Sequence, residues 1–183
     1  VYAILTGRDF STKKVSKILR EKQFEVFKTN QRIVLDNTNW HGFLKIVGGL
    51  GYKNKDIISS NNNVINSYIL YLIGKFKLGM DHRELEDIIR KWFFFVSVTS
   101  RYSGSSESQM EADLNQLKIA EDKSKFVLVL KAIIENELTE DFWNITLPNR
   151  NLVSSSSNSP ARNIYFAYLI KSGVNVLFSN RTV

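Results

Sequence analysis

The sequence predicts an all-α fold, an irregular bundle of about seven to nine helices forming a single domain over the whole chain. Three observations predict it. Only two prolines and nine glycines occur in 183 residues, too few punctuators for a turn-rich β fold. Apolar residues make up 43% and charged residues 23%, the range of a globular chain with a real core. Long stretches repeat their apolar residues at the 3.6-residue helical period rather than in strict alternation.

Element by element, Val1 to about Thr6 reads as a short apolar helix. Ser11 or Thr12 is a candidate cap for a long helix reaching about Leu35. In it Val15, Ile18, Leu19, Val26 and Ile33 share one side, expected to face the core, and Lys13, Lys17, Arg20, Lys28 and Arg32 share the other. Asn37 to Asn39 is the expected break. A helix led by Trp40 and Phe43 follows, ending at Gly48-Gly49. LGYKNKDIISSNNN reads as a loop, and Val64 to Leu78 as a buried helix ended by Gly79.

Asp81 caps the next helix, with Glu84 at capping-box spacing. Leu85, Ile88, Ile89, Trp92, Phe93 and Val96 lie on one side of it, which makes it the centre of the core. After RYSGSSES come helices over about Ser106–Ala120 and about Ser124–Glu137. Thr139 caps a short helix that carries Glu140 and Asp141 in its first turn. LPNRNLVSSSSNS is a polar loop. Ser159 and Pro160 form an N-cap and N1 pair for a last full helix reaching Lys171, and Gly173 ends it.

Composition narrows the chemistry. There is no cysteine, which removes disulfides, thiolate nucleophiles and sulfur-ligated zinc and fits a reducing, cytoplasmic location. The opening residues lack the order of a secretory signal, and the apolar run Ile69 to Ile73 is too short to span a bilayer. The chain opens mid-pattern on VYAILTG and closes on RTV, so it is expected to be a piece of a longer protein. The net charge of +7 is uneven. Val1 to Asp56 holds eleven Lys/Arg against five Asp/Glu, Ser105 to Asp141 four against nine, and Phe142 onward four against none. The two ends are therefore the candidates for contact with a polyanion.

The stretch RYSGSSESQMEADL is explained locally as a joint between two helices. Ser106 with Gln109 and Ser108 with Glu111 have capping-box spacings. Gly104 offers the freedom to turn out of the preceding helix, and Glu107, Glu111 and Asp113 suit the first turns of the next. The alternative is an anion site built from Arg101, serine hydroxyls and helix-start N–H groups. Three nearby carboxylates and the lack of a P-loop pattern weigh against it.

An aromatic helix followed by RYSGSSESQMEADL resembles the central part of the GmrSD-type restriction proteins, prokaryotic modification-dependent DNA endonucleases with many uncharacterised relatives. NLVSSSSNSPARNIYFAYLIKSGVNVLFS is similar to a segment those relatives carry shortly before their C-terminal nuclease domain. The resemblance spans most of the chain, and Arg101, Tyr102, Ser103, Gly104, Ser105 and Ser106 form its most specific element. It implies a helical middle region between a ParB-like nucleotide-handling domain and a His-Asn-His nuclease. Neither end domain's motifs occur here, so no catalytic residue is carried over.

Other constellations have simpler readings. His82 with Glu86 is one helix-face pair and His41 has no partner at helical spacing, so no metal site and no cofactor is expected. Glu84/Asp87 and Glu107/Glu111 are better read as acids of first helical turns than as catalytic pairs. Trp92 and Phe93 are core residues, whereas Trp143, beside Asp141, is a candidate exposed aromatic.

Lys13, Lys17, Arg20, Lys28 and Arg32 are the candidate DNA contacts, a cationic face partly offset by Glu21, Glu25 and Asp36. No helix-turn-helix or zinc finger indicates sequence readout. The expected role is a non-catalytic module of a restriction or antiviral defence protein. Its partners would be neighbouring domains of the parent, with double-stranded DNA a candidate and no membrane. The alternative is a helical protein-interaction domain that never touches nucleic acid; an enzyme in its own right is disfavoured.

Overall fold

The computed structural model describes residues 7–9, 12, 14–152 and 159–174. Among them it is an all-α bundle of seven α-helices with no strand; an isolated antiparallel bridge joins Arg8 and Val15. No helix is long and apolar enough to cross a membrane among the described residues. The expected helix over Val1–Thr6 lies outside them, as do Ser11 and Lys13.

Helix α1 spans Lys17–Leu35 and starts later than the sequence suggests. Its N-cap is Ser16, whose hydroxyl accepts from the Leu19 N–H. Thr12 does not cap. Asp9 Oδ1 accepts from the Thr12 N–H at 2.7 Å and from its Oγ1 at 3.1 Å, which closes a turn ahead of the helix. The break after α1 is Asp36, not Asn37 to Asn39. Asp36 is extended and its carboxylate accepts from the N–H groups of Thr38 and Asn39, so α2 already begins at Asn37 and runs Asn37–Gly49. A short aspartate out-competes the two asparagines because its charge satisfies two orphan donors at once.

α3 spans Asn61–Leu72, capped by Ser60. The asparagines read as loop are its first turn. Asn63 is buried there and its side-chain amide donates to the Val96 carbonyl at 3.3 Å. The helix widens into a π-type turn over Ile73–Lys77, and Gly79 at φ +57° ends it.

α4, His82–Thr99, is the centre of the molecule. Asp81 caps it through the Arg83 N–H at 2.9 Å. Glu84 points instead to Lys123, 3.7 Å away. Leu85, Ile88, Ile89, Trp92, Phe93 and Val96 are all buried, and α2, α3, α6 and α7 pack around them. Phe43 of α2 lies 5.5 Å from the Tyr68 ring and 6.4 Å from the Phe93 ring, tilted and edge-on, the geometry that ring quadrupoles favour.

α5 spans Ser106–Gln116, and a 3₁₀ turn, Leu117–Ile119, links it to α6, Lys123–Glu137. After Thr139 the chain is helical but wide, a π-type segment over Phe142–Leu152 with Pro148 inside it. The stretch expected as loop from Leu147 is therefore helical as far as Leu152, and residues 153–158 lie outside the described residues. α7 spans Pro160–Ser172 with Ser159 at its N-cap, and Gly173 closes it at φ +64°.

Candidate functional site

The cationic face of α1 is open to solvent. No residue of this helix is buried. Lys17, Arg20, Lys28 and Arg32 are all exposed, while Lys13 lies outside the described residues. Lys28 is held by Glu25 at 2.9 Å and sits over the Phe24 ring. Among the described residues, Lys17, Arg20 and Arg32 face no carboxylate within ion-pair distance, so most of the positive charge of this face is uncompensated.

The apolar side of α1 departs from the expectation. Ile18 is 80% and Val26 54% exposed, and Val15, ahead of the helix, is 68% exposed. Only Leu19 and Ile33 of the expected inward set are half-buried. The physical reason lies in how the helix is attached. Among the described residues its hydrogen bonds to the bundle are at its C-terminal end, where the Val34 carbonyl accepts from Trp40 Nε1 at 3.0 Å and from the Tyr68 hydroxyl at 3.1 Å. The Ile33 carbonyl accepts from the Asn39 amide at 3.0 Å, and Lys75 holds Asn39 Oδ1 at 2.8 Å. These are carbonyls that a helix end leaves without partners, satisfied by side chains from α2 and α3. A hollow of about 480 Å³ between this end and α3 keeps the helix partly off the bundle.

The RYSGSS motif, by contrast, is built into a buried ion cluster. The Arg101 side chain is 5% and that of Asp113 2% exposed. Arg101 binds Asp113 in a two-pronged pair, Nε to Oδ2 at 3.0 Å and Nη2 to Oδ1 at 2.6 Å, and donates its remaining arm to Glu137 of α6. The Tyr102 hydroxyl donates to Asp113 Oδ2 at 2.7 Å, and Gln109 Nε2 reaches Oδ1 at 3.3 Å. The Arg101 guanidinium also lies over the Phe95 ring at 5.2 Å. Burial works against the charge on Arg101, but hydrogen bonds and charge from Asp113, joined by Glu137, hold its pKa above the ordinary value. Burial, reinforced by the Asp113 charge, pushes the Tyr102 hydroxyl upward.

This cluster revises the local reading of the motif. Asp113 is not a helix-start acid; it is the shared acceptor that ties the joint to α5. The turn out of α4 is made by Ser100 at φ +55°, with Gly104 exposed and outside the left-handed region. Ser105 is the N-cap of α5 and makes no side-chain cap bond, and Gln109 serves Asp113 instead of a capping box. Ser103 Oγ donates back to the Ser100 carbonyl at 2.7 Å, while Ser106 begins α5 half-buried. Arg101 has no arm left for a phosphate. The twelve-residue gap from Arg101 to Asp113 carries no helical periodicity, which is why spacing alone misses the pair; the only available signal is an Arg-Tyr dipeptide followed by an acid within the next helix.

The remaining candidates are placed simply. His41 and His82 are both exposed, and His82 Nδ1 lies 3.5 Å from Glu86, which also pairs with Arg90. Among the described residues no group of three or more His, Asp or Glu could hold a metal ion. Trp92 and Phe93 are fully buried and Trp143 is 38% exposed, its ring stacked on Phe94. No family model, no curated protein and no solved structure matches this chain.

Proposed function

We propose that this chain is a non-catalytic helical module of a GmrSD-like restriction or defence protein, which couples neighbouring domains and lays the cationic face of α1 along the DNA backbone. The observation that carries the reading is that face. Among the described residues Lys17, Arg20 and Arg32 are exposed and without carboxylate partners, on a helix whose hydrogen bonds to the bundle are at its C-terminal end. Such an arm presents charge to phosphates at little desolvation cost, and phosphate contacts give affinity without sequence preference. The buried Arg101–Asp113–Tyr102 cluster supports the coupling half. It rigidly joins α4, α5 and α6, as a brace between domains requires.

The test is duplex binding over a salt series, with a Lys17→Gln/Arg20→Gln/Arg32→Gln variant in parallel. Binding that weakens steeply with salt, and several-fold in the variant, is expected. Absence of binding by the parent chain at low salt sinks the DNA half of the proposal.

A second reading, a protein-docking helix that leaves nucleic acid alone, is favoured by one observation. Phe24 and Phe27, 43% and 41% exposed, stack on one another on the same helix, an apolar patch suited to a partner domain. Loss of partner-domain binding in a Phe24→Ser/Phe27→Ser variant, with no DNA binding by either form, would select it.

A further inference from the structure

A cavity of about 450 Å³ opens between α4, the loop after α2, the wide segment Phe142–Leu152 and α7. That size lies within the range of small-molecule sites. None of its lining residues belongs to α1, so a ligand here is independent of the DNA reading. Two features of the backbone create it. Gly51 lets the loop press against α7, where an added Cβ would stand 1.8 Å from the Ala167 carbonyl oxygen. The π-type turns of the opposite wall set Trp143 and Leu147 on a wider spiral than an α-helix, and such widened helices recur at functional sites.

The lining has a definite chemistry. Phe94, Leu147 and Ile164 make an apolar interior, while Trp143 and Tyr168, 38% and 64% exposed, stand at the mouth. Lys171 is the one charged residue of the lining among the described residues. It is exposed and pairs with no carboxylate among them, and from Phe142 onward the sequence contains four Lys/Arg and no Asp/Glu. Among the described residues, apart from Trp143 and Lys171, polar side-chain groups come to the lining only as the hydroxyls of Tyr52, Tyr165 and Tyr168, too few to satisfy both the edges of a nucleobase and the hydroxyls of a sugar, each of which is costly to desolvate without a partner. An alkyl chain meets no such penalty, and the ammonium at the rim selects a single anionic head.

We infer that this cavity binds an amphipathic carboxylate of the fatty-acid class. The alkyl chain lies between Phe94, Leu147 and Ile164, and the carboxylate meets the Lys171 ammonium. The site is a binding site, with no chemistry done on the ligand.

The experiment titrates the chain with myristate, read by calorimetry and by tryptophan emission. Trp143 is the reporter because Trp92 is fully buried and Trp40 is stacked on Tyr68 at 3.7 Å. Saturable one-to-one binding with a shift in emission is expected. Ile164→Trp, which fills the interior, and Lys171→Glu, which reverses the rim charge, should each weaken myristate about tenfold or more, the scale of one charge-assisted hydrogen bond. Tetradecanol, which has the same chain without the charge, should bind the parent and Lys171→Glu alike. That comparison stands even if Ile164→Trp fails to fold, since Lys171 is exposed. No saturable myristate binding overturns the inference, as does myristate affinity unchanged in Lys171→Glu. A Trp143 signal saturated by oligothymidylate but not by myristate overturns it in favour of base stacking.

Discussion

At the scale of single residues, Asp113 does the most. One buried carboxylate receives Arg101, Tyr102 and Gln109, so removing it leaves a buried cation with Glu137 alone and a buried hydroxyl without its acceptor. Asp113→Ala is expected to cost about 3–5 kcal/mol, the range for breaking a buried ion pair from one side. The joint change Arg101→Met/Asp113→Leu should cost less than Asp113→Ala, because neither buried charge remains and Glu137, which loses Arg101, is 43% exposed to water. Urea unfolding of the two variants measures both, and a joint variant less stable than Asp113→Ala contradicts the role given to the pair.

Tyr52 gives the pH dependence. It is buried, its hydroxyl lies by Ser97 without a well-formed hydrogen bond, and burial pushes its pKa up to about 12. A raised pKa means that the neutral phenol is favoured by the folded state. Its contribution is complete below the ordinary value of 10.0 and is lost as pH rises from there to about 12, at about 1.4 kcal/mol per pH unit. Tyr52→Phe should lessen the alkaline slope, leaving the part that Tyr102 contributes, while changing stability at neutral pH by less than about 1 kcal/mol, since no good hydrogen bond is lost. Urea unfolding at neutral and alkaline pH tests it.

At the scale of elements, the contrast is between α4, whose sides are covered by four other helices, and α1, which has no buried residue. Native-state hydrogen exchange should therefore find the first turns of α1 opening at far lower free energy than α4. Trp40→Phe removes the indole donor to the Val34 carbonyl. It should cost about 1 kcal/mol and speed exchange at the C-terminal end of α1 without touching α4; equal acceleration in both helices refutes one-ended anchoring. The loop after α2 is fixed in another way. Gly51 has φ +97° and lies against the α7 backbone, so Gly51→Ala meets both strain and a backbone clash. A loss of more than about 2 kcal/mol is expected in thermal or urea unfolding.

At the scale of the whole molecule, charge is partitioned along the chain. The segment up to Asp56 and the segment after Asp141 are basic, and Ser105 to Asp141 is acidic. Part of that acid is spent inward, since Asp113 and Glu137 pair with Arg101, so the acidic middle is less negative to an approaching partner than its count implies. The described cations of the α1 face are not spent in this way, except for Lys28. If Lys17, Arg20, Lys28 and Arg32 all contact phosphates, the logarithm of the duplex binding constant should fall with that of salt at a slope of roughly −3 to −4. A slope near zero assigns α1 to a protein partner.

The sequence by itself determined the fold class, the identity of the central helix and most helix ends. Each of these is a local matter. The period of Leu85, Ile88, Ile89, Trp92, Phe93 and Val96 fixes a buried face, Asp81 and Gly173 are caps that act within one turn of where they stand, and Pro160 starts the last helix at N1. It also marked the cationic face of α1, because a helical face is a property of spacing. Local rules were less decisive where two caps competed, as at Asp36 against the asparagines that follow it. Only the tertiary structure decided that the apolar side of α1 stays largely bare, that Asp113 of α5 and Glu137 of α6 converge on Arg101, and that a cavity forms beside α7. Each of these depends on which element lies beside which. Long-range packing sets that, and no periodicity or spacing along the chain encodes it on its own.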